Sequence, residues 1–115
     1  MLFRSGVRAT PALGRDGTVV VGADDGAIYG LRADDGAERF RVQTSLPVRS
    51  AARIDRDGWI FIGSEDDQLR ALDPSGSVRW TVSLGADIDG SPAILPDGTL
   101  VVGADDGALY ALGAR

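Results

Sequence analysis

One stretch of sequence occurs three times in this 115-residue chain. Ser91 to Leu112, SPAILPDGTLVVGADDGALYAL, returns at Thr10–Leu31 as TPALGRDGTVVVGADDGAIYGL and, more loosely, at Ala51–Leu72 as AARIDRDGWIFIGSEDDQLRAL. The copies align without a gap from Val7, Val48 and Ile88 to Leu31, Leu72 and Leu112, at spacings of 41 and 40 residues. A period of this length restricts the chain to repeat architectures, in which each unit buries its apolar surface against its neighbours.

Inside each unit the turn signals come about every ten residues, which leaves no room for a helix. Val7–Leu13 is a short strand candidate, with Pro11 tolerated only at an edge or at a strand start. Asp16-Gly17, Asp57-Gly58 and Asp97-Gly98 then predict hairpin turns. The runs that follow, TVVVGA, WIFIGS and TLVVGA, are apolar without alternation, so they are expected to be buried on both faces. Asp24-Asp25-Gly26, Glu65-Asp66-Asp67 and Asp105-Asp106-Gly107 mark a second turn, and AIYGL, QLRAL and ALYAL a third strand. Two copies continue through another turn into ERFRVQT and SVRWTVS. Four short antiparallel strands in about 40 residues make a β-propeller blade. The predicted fold is therefore all-β, a propeller of about three four-stranded blades in a single segment, 1–115. Its repeats are expected near 7–47, 48–87 and 88–115, with residues 1–6 the remnant of a preceding outer strand. Gly22, Gly63 and Gly103 close the second strand of each copy, and the recurrence predicts either a positive φ or the close approach of a neighbouring strand.

The pattern SPA, DGT, VVGADDGALYAL resembles the pyrroloquinoline-quinone-type (PQQ-like) propeller repeat. That family carries an outer motif A-x-D-x-x-T-G-x-x-x-W whose Trp docks between blades. Ala71, Asp73, Gly76 and Trp80 fit it with one residue missing before the glycine and Ser75 at the Thr position. In the first copy Gly36 and Phe40 match, while Arg32 and Asp35 replace the Asp and Thr. The resemblance implies the propeller fold and several roles: quinone-dependent dehydrogenase, assembly scaffold, or sensor domain of a larger receptor or kinase chain. It also implies a periplasmic or extracellular setting, although no signal-peptide core follows Met1-Leu2-Phe3-Arg4.

The chain has no Cys, His, Lys or Asn. Zinc sites built on Cys or His and triads with a His base are thereby excluded. The dehydrogenases of the family hold their quinone beside a calcium bound by Glu and Asn, and neither Glu38 nor Glu65 matches a ligand position. No cofactor, metal or catalytic residue is expected, and the chain is read as a non-enzyme. Asp55-Arg56-Asp57-Gly58 is the best calcium candidate, yet Asp and Gly are what such turns require on their own. Net charge is −5 and all twelve basic residues are Arg, scattered along the chain; this reads as composition bias, without a nucleic-acid surface. No apolar run is long enough to span a membrane. The middle copy departs from its neighbours at Arg53, Trp59 and Arg70, where the others have Ala, Thr and Tyr, a composition suited to a partner contact. The expected role is a binding scaffold for protein or ligand. Its partner is expected to be a protein or further propeller blades, including a homodimer that completes a six-bladed ring.

Overall fold

The computed structural model describes residues 11–85, 88, 92–104, 106–107 and 109–113. Its elements are strands throughout, grouped in three antiparallel sheets that follow the repeat. The first sheet holds β1 (Ala12–Leu13), β2 (Thr18–Gly22), β3 (Ala27–Arg32) and β4 (Glu38–Gln43), in that spatial order. The second repeats it with β5 (Arg53–Ile54), β6 (Ile60–Gly63), β7 (Gln68–Leu72) and β8 (Val78–Ser83). In the third, β9 (Ala93–Ile94), β10 (Leu100–Gly103) and β11 (Leu109–Leu112) form three strands among the described residues. Pro11 stands immediately before the edge strand β1, where no ladder hydrogen bond is asked of it. Residues 7–10 of the expected first strand, and residues 1–6, lie outside the described residues.

Turn chemistry sets the strand spacing. Gly17 has φ +83° and donates its N–H to the Gly14 carbonyl, while Gly14 N–H reaches Thr18 O, so four residues join β1 to β2. The pattern recurs at Asp55–Gly58 and Leu95–Gly98, and each glycine takes the left-handed position that a side chain would strain. The hairpins are thus longer than a two-residue Asp-Gly turn, with the Asp side chain capping the loop: Asp16 Oδ1 accepts the Thr18 N–H at 3.0 Å. In the second turn of the middle repeat Asp67 takes the left-handed place of Gly26 and Gly107, with φ 69°. Asp tolerates this region better than most residues.

The middle strands of the first two sheets are largely buried on both faces, as the unbroken apolar runs require. The third sheet departs from the expectation: β11 alternates between exposed and half-buried residues and Gly103 at the end of β10 is exposed, because no further sheet among the described residues covers that side. Every residue of β6 is buried, whereas the outer strands β4 and β8 are exposed at alternate positions. Val20 and Ile28 on one sheet pack with Ile60, Ile62 and Leu72 on the next. Phe61, Leu69 and Ala71 on the other side of the second sheet meet Leu100 and Val102. The second sheet therefore has a leading face, which meets the first sheet, and a trailing face, which meets the third, and the corresponding faces of the other two sheets are named in the same way. No helix among the described residues is long and apolar enough to cross a membrane.

Candidate functional site

The sheets dock through a notch that glycine makes. A Cβ placed on Gly22 would lie 2.3 Å from Val48 Cγ1, and one on Gly63 would lie 2.2 Å from Ile88 Cγ2. Neither glycine has positive φ, so close approach is the backbone reason. Val48 and Ile88, both fully buried, are the β-branched residues that open the second and third repeats. Gly103 stands at the same place in the third sheet, and among the described residues its nearest neighbour is its own sheet's Leu109 Cδ1 at 3.8 Å. Around it the trailing face is open: Leu109 is 76% exposed, where its counterparts Ile28 and Leu69 are at 0%.

A second device locks the outer strand. Gly30 and Gly76 both lie against Phe40, with Cβ positions that would sit 2.2 Å from ring atoms. The ring is thus wedged between β3 of its own sheet and the β7–β8 turn of the next, the inter-blade role expected of the motif aromatic. Trp80, its counterpart, packs on Phe61 with ring centroids 6.1 Å apart. Arg49 ties the first two sheets on the side of the acidic turns, with Nη1 3.0 Å from Glu65 Oε1 and Nε 3.4 Å from Asp24 Oδ1. Sequence reading missed this bridge, because its partners are distant in the chain.

The residues that set the middle repeat apart fall on different faces. Arg53 pairs with Phe61 across β5 and β6 and so points towards the third sheet, where its Nε donates to the Pro92 carbonyl at 3.1 Å. Trp59, two residues before Phe61, packs on that side, with the Arg79 guanidinium 5.9 Å from its ring centroid. Arg70 pairs with Ile62 and lies on the opposite face. Its Nη2 donates to Asp66 Oδ2 at 2.7 Å and its Nη1 to Ser64 Oγ at 2.9 Å. Arg70 thereby does what tyrosine does in the other repeats, since Tyr29 bonds Asp25 and Tyr110 bonds Asp106 at the same positions. The side chain changes and the latch on the acidic turn is kept.

The electrostatics follow from these bonds. Burial opposes ionisation of Asp66, but the bonds from Arg70 and Ser64 outweigh it and hold its carboxyl below the ordinary range. The hydrogen bond to Asp25, with burial, raises the Tyr29 phenol. Asp55 Oδ1 accepts the backbone N–H groups of Asp57 and Trp59, so the calcium candidate is occupied by its own turn. Both glutamates hold arginines, Glu38 with Arg41 and Glu65 with Arg49. With no Asn in the chain, the donors present do not fit a calcium-held quinone.

The family described as outer membrane protein assembly factor BamB matches residues 3–73 and, in a second register, 65–115. The chain belongs to this PQQ-like repeat family. Crystalline BamB from Moraxella catarrhalis superposes with a TM-score of 0.81 at 26% identity, over 97% of this chain and 35% of that one. The quinohemoprotein alcohol dehydrogenase ADHIIG of Pseudomonas putida HK5 gives 0.81 at 23% identity, over 100% of this chain and 20% of that one. The WD40 β-propeller domain of Doa1 also gives 0.81, at 21% identity over 92% and 36%. At these identities the last two share the fold alone. Uncharacterized protein YxaL of Bacillus subtilis (strain 168) is 35% identical over 54 residues, 46% of this chain and 13% of its own length. The chain thus spans little more than a third, at most, of the proteins it resembles, and its architecture is a partial β-propeller.

Proposed function

We propose that this BamB-like propeller segment is a non-catalytic scaffold, and that its open trailing face binds one more blade of its own kind, supplied by a second copy. The observation that carries this reading is the notch at Gly103. Two notches of the same make are filled by Val48 and Ile88 from the next repeat, and among the described residues the third has no neighbour beyond its own sheet. Val7 aligns with those two residues in sequence, so a second copy carries the matching side chain at the start of its first repeat. Two copies joined in this way through a two-fold axis make the ring of six blades. Apolar faces of this kind favour association over exposure to water. Arg53 and Trp59, which share the side facing the third sheet, are the proposed contact residues for a further protein partner. Support for a binding role over an enzymatic one comes from the family's assembly-factor description and from carboxylates already committed to arginines and turns.

Light scattering on the purified chain tests the proposal. We expect a particle of twice the 12.0 kDa chain mass, reduced to one chain by Gly103→Val. A soluble, cooperatively folding monomer of the unaltered chain would overturn it. Reconstitution with the quinone and calcium, followed by a dye-linked alcohol dehydrogenase assay, is expected to give no turnover, and turnover would refute the scaffold reading.

A further inference from the structure

Apart from the docking faces, the arginines separate into two groups. Arg32, Arg39, Arg41, Arg49, Arg70 and Arg79 each lie within ion-pair distance of a carboxylate. Among the described residues Arg15, Arg53 and Arg56 form no ion pair, and Arg53 is held only by its Nε bond to the Pro92 carbonyl. These three are neighbours in space although not in sequence. Arg53 and Arg56 line a cleft of about 480 Å³ between the inner strands of the second and third sheets. Arg15 and Arg56 line the adjoining cleft of about 140 Å³ between the first and second sheets, so Arg56 belongs to both. Apolar side chains with exposed surface stand among the guanidinium groups: Ile94 and Leu95 in the larger cleft, Ile54 in the smaller. Three carboxylates also border the row. Asp16 is turned to Arg39 at 3.6 Å, Asp55 accepts two backbone N–H groups, and Asp57 sits at the boundary of the two clefts.

We infer that this row of clefts binds an extended, acidic polypeptide segment whose apolar side chains alternate with its carboxylates. Guanidinium groups without carboxylate partners, in a chain of net charge −5, mark where negative charge is to be received. The exposed apolar side chain between them favours a peptide over a small anion, since a lone carboxylate would leave Leu95 uncovered. A strand-like peptide places successive side chains on opposite sides, which suits a row of arginines bordering an apolar floor. The site uses the inner turns and leaves β11 and Gly103 free, so it is independent of the second-copy interface.

Fluorescence anisotropy with a fluorescein-labelled peptide of alternating Glu and Leu, beside its Gln-for-Glu counterpart, provides the test. Binding of the Glu peptide that weakens as salt rises is expected, with little binding of the Gln peptide. The double variant Arg53→Gln, Arg56→Gln should lower affinity roughly fivefold to tenfold, as the loss of two partly screened charge contacts implies. Arg56→Gln alone removes no bond from the fold and should lower it about two- to threefold, which guards against an unfolded double variant. Arg41→Gln on the outer strand β4 should leave it unchanged. Equal binding of both peptides, an effect of Arg41→Gln as large as that of Arg56→Gln, or binding abolished by millimolar succinate alone would overturn the inference.

Discussion

Adding one methyl group at Gly63 and at Gly103 makes the same chemical change in two equivalent places, and the structure assigns it opposite consequences. At Gly63 the new Cβ would stand 2.2 Å from Ile88 Cγ2 and 2.6 Å from Ile88 Cβ. Carbon atoms in contact prefer about 3.5–4.0 Å, so the second and third sheets must part locally by more than an ångström. Overpacking of this order costs about 1–3 kcal/mol. Loss of glycine's freedom in the unfolded chain returns about 0.4–1 kcal/mol, because neither φ is positive. The net expectation for Gly63→Ala is a loss of about 1–2 kcal/mol, or roughly 4–10 °C in Tm for a chain of this size. At Gly103 the nearest atom among the described residues is 3.8 Å away, so Gly103→Ala keeps the gain without the clash. Its melting temperature in dilute solution should be unchanged or slightly raised. Thermal melts followed by circular dichroism, at concentrations low enough to suppress association, separate the two. Equal shifts for both variants would refute the notch.

The turn latch predicts that Arg70→Leu costs about 1–3 kcal/mol, since Asp66 loses a charge-assisted partner, whereas Arg70→Tyr is nearly neutral because Tyr29 and Tyr110 do the same work; urea denaturation midpoints decide it. Trp59→Ala should weaken binding of a captured protein partner by about 2 kcal/mol while leaving a cooperative melt, and loss of the melt itself would show that Trp59 serves the core. Because Asp66 is held below its ordinary value, its share of stability is present above about pH 4 and is lost as pH falls through the lower folded value. Tyr29 has the opposite sign: its raised phenol contributes fully below about pH 10 and loses that contribution as pH climbs through the folded value. Denaturation midpoints measured across pH should fall at both ends, and Tyr29→Phe should flatten the alkaline limb.

Fold was legible because the repeat displayed the same turn and strand signals in each copy. Asp-Gly pairs and β-branched runs act locally, and their spacing placed strands to within a residue or two of β2, β3, β6 and β7. The glycines at the second strand's end were equally legible as a need for closeness, but not what approached them. Val48 and Ile88 meet Gly22 and Gly63 only through the stacking of whole sheets. The same limit hid Arg49, whose partners Asp24 and Glu65 lie in different repeats. Arg70 illustrates another difficulty. Its departure from tyrosine stood out in the aligned copies, but its bonds to Asp66 and Ser64 depend on the reach of a side chain, which composition does not display. Arg15 and Arg56 occupy equivalent turn positions in the first two copies, a signal present in the alignment that becomes meaningful once their lack of ion pairs is seen.

Hydrogen exchange of the third sheet at two protein concentrations tests the central claim most directly. Leu109 and Gly103 lie on the open face, and β11 is an edge strand whose outward backbone groups have no ladder partner among the described residues. If a second copy covers this face, deuterium uptake across 100–112 should slow as concentration rises from nanomolar to micromolar, while β6 and β7, packed on both sides within one chain, keep a constant rate. Gly103→Val should abolish the concentration dependence. Uptake across 100–112 that is equally fast at every concentration, in a chain that remains folded, would contradict the account.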